Sequence, residues 1–234
     1  MADGDVYVIP TRPNNPFPLG RAGVNPDPRN RQHRALEPPP RRTRAYKRWL
    51  RLRKDIYDQI GPSCTIQGAT GVLRTGNANR RNFTDFGGFD TEQERYEAYL
   101  RFQKFDPPEW GPHDGSASDS AWKGLREEGV ISSWKWIFGE DELREWIRFY
   151  GAAEVGINWT EDMFYPDDHG YVRPTGALAG GHEISVVGYD SVDDSYELPN
   201  SWGLGWGKWG RCRIKRVDMA ALLADGGDAS TVGL

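Results

Sequence analysis

The spacing of apolar positions changes partway along this chain. Between about residues 64 and 150 they recur every three or four places, and after that they alternate. "CTIQGATGVLR" sets Ile66, Ala69, Val72 and Leu73 on one helical face. "TEQERYEAYLRF" opens with Thr91 and Glu94 at capping-box spacing, ahead of Tyr96, Tyr99 and Leu100. "SDSAWKGLREEG" offers Ser118 or Asp119 as a cap and Gly129 as a stop. "EDELREWIRFYG" carries the stripe Leu143, Trp146, Ile147 and Tyr150, and ends at Gly151. Then "AAEVGINW", "HEISVVGYD", "DSYELPNSW" and "GRCRIKRV" read as strands joined by tight turns, with "DMAALLADGG" as a last short helix. Helices first and strands second predict an α+β domain.

Residues 1–42 follow neither rhythm. They hold nine of the sixteen prolines, including "EPPPRR" at 37–42, so they predict an extended, proline-rich arm. The remaining 43–234 form one domain, with a helical half at about 55–150 and a β half at about 151–217. From Arg41 to Lys54 eight basic residues surround Tyr46, Trp49, Leu50 and Leu52. This reads as a solvated helix face, with contact to an acidic partner or nucleic acid as the alternative.

Composition narrows the function classes. At 234 residues, 37% hydrophobic and 12% aromatic, the chain has material for a sizeable core. Its net charge of −4 leaves no nucleic-acid footprint over the whole chain. No run approaches the ~18 apolar residues of a membrane span. The start, "MADGDVYVIPTRPNNPFPLG", has no basic head followed by an apolar core, so no signal peptide is expected. The expected location is the cytoplasm or a virus particle. Cys64 and Cys212 are the two cysteines, too few for a disulfide framework. "YPDDHG" gathers Asp167, Asp168 and His169 in what reads as a turn and not a metal site, and no cofactor is expected. His33, His113 and His169 sit in loop-like sequence and read as ordinary surface residues, and Cys212 as a structural residue within a strand.

The chemistry gathers elsewhere. Cys64 follows Gly61, Pro62 and Ser63 where a helix begins, and the positive end of a helix dipole favours a thiolate. His182, in an alternating run, would act as base and then as acid. Asn200, at the end of the next strand, would accept from the other ring nitrogen without adding a charge. Trp202 would shield that bond from water. Gln59 carries an amide able to donate to an oxyanion. Gly180 and Gly181 leave room for a substrate backbone.

At these residues the chain resembles the papain-like cysteine peptidases. "GGHEISVVGYD" followed by "ELPNSWGLGWGKWGRCRI" resembles the C-terminal half of that family, and "DQIGPSC" its Gln-to-Cys segment. "DGSASDSAWKGLREEGV" resembles its glycine-serine turn and cleft-lining helix, which places Gly115 and Ser116 beside Gly181 and Trp202 as substrate-binding positions. "PLGRAGVNPDPRNRQHR" resembles the leader of bacterial and phage members, which lack the helical propeptide. The Gln59-to-Cys64 segment is one residue short of the family's usual length, and Thr65 stands where an aromatic residue commonly follows the cysteine. The resemblance implies a helical half whose central helix bears Cys64, packed on an antiparallel sheet or barrel, with the active site in the cleft between. It implies a thiol peptidase acting on proteins or peptides through Cys64, His182, Asn200 and Gln59. Two alternatives stay open: an assembly protein, of phage virion or tail type, pinned to a partner by its arm, and an amide transferase or peptidoglycan peptidase using the same site.

Overall fold

All ten residues of the first helix, α1 (Cys64–Leu73), are buried. The sequence predicts one apolar face here, but the helix is enclosed on every side, and its polar residues bond inward. Thr70 Oγ1 donates to the Ile66 carbonyl at 2.6 Å, and Ser185 Oγ reaches the Gly68 carbonyl at 3.2 Å. The computed structural model describes residues 17–23, 46–76, 86–111 and 115–233.

Two further helices cover α1 on one side. In α2 (Glu92–Phe102) the predicted capping box is formed: the Glu94 amide donates to Thr91 Oγ1 at 3.1 Å, and Glu94 Oε2 accepts from the Thr91 amide at 2.8 Å. In α3 (Ser118–Glu127) neither Ser118 nor Asp119 caps. The helix begins at Ser118 itself, and both side chains are engaged elsewhere: Ser118 Oγ donates to Glu183 at 2.8 Å, and buried Asp119 pairs with Lys123 at 2.8 Å. Gly129, at φ +76°, stops the helix as expected. Ile66, Leu73, Tyr99, Phe102, Trp122 and Leu125 form the heart of this first core.

Two four-stranded antiparallel sheets make the other part. One runs in the order Trp134–Ile137 (β4), Asp228–Val232 (β10), Ala153–Thr160 (β5), Leu178–Val186 (β6). The other runs Tyr46–Arg48 (β2), Gly188–Asp190 (β7), Ser195–Pro199 (β8), Arg211–Lys215 (β9). Helices α4 (Gly139–Phe149) and α5 (Arg216–Ala224) share the second core with Val155, Ile157, Ile184, Leu198 and Ile214. Strand β10, which the sequence pattern did not reveal, lies inside its sheet between β4 and β5. Trp122 joins the two parts through a 2.7 Å bond from Nε1 to Ser230 Oγ of β10.

The basic stretch is not a helix face. Its described residues form β2, an extended link and one 3₁₀ turn at Arg53–Asp55. Trp49 and Arg51 are buried while Leu50 and Leu52 are exposed, a period of two that belongs to extended chain. Trp49 Nε1 donates to the Ile147 carbonyl at 2.7 Å, and Arg51 Nη1 to Ser185 Oγ at 3.0 Å. Of the predicted arm, the described residues are 17–23, and "EPPPRR" lies outside them. Arg21–Gly23 (β1) pairs in parallel with Ser116–Ala117 (β3), at the mouth between the two parts. Among the described residues no helix is long and apolar enough to cross a membrane.

Candidate active site

The turn at Gly61 to Ser63 delivers Cys64 to the first position of α1. Ser63 Oγ is used within the turn, donating to the Ile60 carbonyl at 2.9 Å. The Cys64 side chain is wholly buried, and the backbone N–H groups of Glu183 and Gly20 face its sulfur. Burial, and then the nearby charge of Glu183, push its pKa up; the two amides and Arg21 pull the other way and lose. The thiolate expected from a helix start is therefore not the favoured form here. Desolvation and the Glu183 charge outweigh the two amides and Arg21.

His182 lies in β6 opposite Ile157 of β5. Its ring is also fully buried, stacked on Trp202 with centroids 4.6 Å apart and met edge-on by Trp159 at 5.0 Å. Nε2 lies 2.8 Å from Asn200 Oδ1. That oxygen also accepts from the Ser201 amide at 2.8 Å, so it is an acceptor and Nε2 carries the proton. The lone pair is then on Nδ1, which is buried and has no hydrogen-bond partner. Burial lowers the His182 pKa to about 4. In this state burial works against the charged form of both groups.

The pair His182–Asn200 is brought together as expected, but not by neighbouring strands. β6 is the edge of one sheet and β8 belongs to the other, so the bond bridges two sheets. Asn200 is set just beyond β8 by its amide, which donates to the Gly210 carbonyl at 2.8 Å. Gln59 is buried nearby, its Oε1 accepting from Ser201 Oγ at 2.6 Å.

Why is this site closed? Residues 17–21 lie across it. The Gln59 Nε2 group donates to the Pro18 carbonyl at 3.3 Å as well as to Gly61 at 2.9 Å, and Trp202 Nε1 donates to the same Pro18 carbonyl at 3.0 Å. Phe17 stacks on Trp202 with centroids 4.8 Å apart. The Gly20 amide donates to the Gly181 carbonyl at 3.3 Å, and the Ser116 amide to the Gly20 carbonyl at 2.8 Å. A β-carbon on Gly181 would sit 2.3 Å from the Arg21 carbonyl oxygen, so this approach requires glycine. Thus Ser116, Gly181, Trp202 and Gln59 all contact one extended peptide segment. Gly115 adjoins it at φ +100° and accepts from Tyr99 at 3.4 Å.

Cys212 is buried in β9, and both cysteines are free. His169 is exposed; His33 and His113 lie outside the described residues. No group of metal-ligating side chains occurs among the described residues. Sequence reading passed over Trp159, Gly20, Arg21 and Glu183. For Glu183 no local signal exists: in the alternating run His182 to Val186 it falls with Ser185 on the polar face, and its burial comes from Ser118 and Arg21 far along the chain.

Helices packed over a buried α1 that starts at Cys64, and two antiparallel sheets bridged by the His182–Asn200 bond, define the papain-like class. The model of the papain family cysteine proteases matches residues 82–225, and this chain belongs to that family. The matched region begins downstream of Cys64. The chain is 33% identical over 70 residues to cathepsin B-like CP3 of Giardia intestinalis, covering 29% of this chain and 23% of that protein. It is 35% identical over 80 residues to cathepsin S of Mus musculus, covering 33% and 24%. The chain thus spans about a quarter of the length of these relatives. Among solved structures, xylellain, a cysteine protease from Xylella fastidiosa, superposes with a TM-score of 0.60 at 16% identity, over 92% of this chain and 96% of that one. Digestive procathepsin L 3 of Tenebrio molitor gives 0.60 at 18% identity, over 91% and 76%. At these identities the structures show the shared fold.

Proposed function

We propose that this chain hydrolyses peptide bonds in proteins or peptides, with Cys64 as nucleophile and His182 as its base and acid. The observation that carries this reading is the His182–Asn200 bond. It fixes the proton on Nε2 and leaves Nδ1 as a bare lone pair in a desolvated pocket. The extended segment across Ser116, Gly181 and Trp202 lies as a peptide substrate would need to lie.

The reaction runs in two stages. Nδ1 takes the Cys64 proton, and the sulfur attacks the carbonyl carbon of the scissile bond. Gln59 Nε2, which here donates to the Pro18 carbonyl, donates instead to the developing oxyanion. The C–N bond breaks as Nδ1–H protonates the leaving amine, and a thioester on Cys64 remains. Water then gives a proton to Nδ1 and attacks the thioester. The S–C bond breaks, the acid leaves, and the proton returns to sulfur.

In the state described, residues 17–21 occupy the place of the substrate, so they must lift before either stage begins. Lifting readmits water, which removes the main cause of the raised thiol and lowered imidazole pKa. The test is labelling with an epoxysuccinyl thiol-protease inhibitor, read by intact mass and paired with a mixed fluorogenic peptide library. One adduct and measurable turnover, both lost in Cys64→Ala and His182→Ala, is the expected result. Turnover surviving in Cys64→Ala would end the reading.

A further inference from the structure

The basic stretch after β2 takes no part in the peptidase chemistry, yet it helps to build a second concave site. A cavity of about 540 Å³ lies between this stretch, β9 and the turn at 207–210, and neither Cys64 nor His182 lines it. Six cations do: Arg48, Arg51, Arg53, Lys208, Arg211 and Arg213. Glu197 is the one carboxylate among the described lining residues.

The positive charge is only partly answered. Arg48 and Arg211 share Glu197, at 2.8 and 3.0 Å. Arg213 is held by Asp190 and Asp193, at 3.2 and 3.3 Å. Arg51, Arg53 and Lys208 have no carboxylate at ion-pair distance among the described residues. Arg51 is buried, and its bonds run from Nε to the Asp55 carbonyl at 2.8 Å and from Nη1 to Ser185 Oγ at 3.0 Å, neither of which cancels its charge. Burial, with the neighbouring Arg211 charge, lowers its pKa to about 10. An anion seated among these cations relieves that repulsion.

The turn also holds its side chains in place. Trp209 has φ +57°, in the left-handed region that favours glycine, and it is 65% exposed, so packing does not explain an indole there. Arg53 Cζ lies 4.5 Å from the centre of that ring, which keeps the guanidinium at the rim of the cavity. The Lys208 amide donates to the Arg211 carbonyl at 2.8 Å. Its stem lies over Gly170, where a β-carbon would sit 2.8 Å from Lys208 Cγ.

We propose that this cavity binds a compact polyanion with two linked phosphates, held by Arg51, Arg53 and Lys208. The volume is that of a small-molecule site. Each phosphate brings about 1.5–2 negative charges at pH 7, so a linked pair answers three cations. Guanidinium forks meet phosphate oxygens two at a time. An acidic peptide spreads one charge per side chain along an extended chain and does not concentrate three in this space. The diphosphate belongs either to free pyrophosphate or to a nucleotide, whose base would have the Trp209 ring beside it. The site does not rest on the peptidase reading, and Cys64→Ala binds as the wild type does.

The experiment is isothermal titration calorimetry on the full chain in low-salt, phosphate-free buffer, with pyrophosphate, ADP and sulfate as probes. Arg53→Ala and Lys208→Ala are the variants, both at exposed positions, with thermal midpoints checked beside the wild type. Expected is one pyrophosphate per chain, bound more tightly than sulfate and weakened about tenfold or more in each variant, the size of a charge-assisted bond. ADP tighter than pyrophosphate in the wild type, but not in Trp209→Ala, assigns the site to a nucleotide; ADP no tighter assigns it to the bare diphosphate. No saturable binding of either probe to the wild type would overturn the proposal. So would sulfate binding as tightly as pyrophosphate, or affinities unchanged in both variants.

Discussion

Gly20 is the point at which the closed state is most easily broken. Its position has no left-handed backbone, so the demand for glycine is one of space alone. A β-carbon built there lies 2.0 Å from the Pro62 carbonyl oxygen, 2.3 Å from its carbon and 2.6 Å from its Cα. Ordinary contact needs more than 1 Å beyond the closest of these, at about 3.5 Å. The obstacle is backbone in the turn that delivers Cys64, and Gln59 and Ser63 brace that turn by bonds to Gly61 and Ile60. It cannot move aside as a side chain would. Overpacking costs about 1–3 kcal/mol, and a backbone clash belongs at the top of that range. At 1.4 kcal/mol per factor of ten, about 3 kcal/mol raises the population with the segment lifted by about a hundredfold. The assay is Cys64 alkylation by iodoacetamide at pH 7, with peptide mapping to keep buried Cys212 separate. Gly20→Ala labels at Cys64 about 10–100 times faster than the wild type, with the same thermal midpoint for the rest of the domain. An unchanged Cys64 rate in a folded Gly20→Ala protein would refute the claim that residues 17–21 are what close the site.

Three more outcomes are expected. Asn200→Ala removes the acceptor for His182 Nε2–H and frees the ring to turn; kcat falls by about 10–100-fold with KM little changed, and equal kcat in steady-state kinetics would remove Asn200 from the mechanism. His182, at about 4 in the fold against ~6.5 unfolded, stays neutral where the unfolded chain takes up a proton, so its stabilisation is intact above pH 6.5 and is lost as pH falls towards 4. Urea denaturation at pH 7, 5.5 and 4 should show wild type losing about 3 kcal/mol relative to His182→Gln across that window, and a constant difference would mean the ring is not desolvated. Trp122→Phe breaks the bond to Ser230 that joins α3 to β10 and costs about 1–3 kcal/mol, visible as a lower urea midpoint; an unshifted midpoint would deny that link its stabilising role.

The parts of this molecule that could be read from sequence are those whose cause is local. The Thr91–Glu94 box, the stop at Gly129 and the alternation of β5 and β6 follow from neighbours three or fewer places apart. Alternation is also present at Trp49 to Leu52, but the dense basic residues around it mask the period. What escaped was set by contacts across the chain. Ser118 looks like a cap until Glu183, 65 positions away, claims its hydroxyl. β10 is a mixed-polarity stretch that becomes a central strand because β4 and β5 lie on either side of it. The same division runs through the site. His182 and Asn200 were legible because their spacing and surrounding tryptophans carry a pattern. Gly20 and Arg21, in a proline-rich arm, carry none, since a glycine is selected there by Pro62 and an arginine by Asp228, more than 40 and 200 positions distant. The consequence reaches the chemistry. A helix start and an imidazole argue for a reactive thiolate when taken alone, yet burial and the Glu183 charge push the thiol pKa up, against the pull of the Gly20 amide and Arg21. In the proposed reaction, the reactivity of Cys64 therefore depends on residues 17–21 as well as on His182.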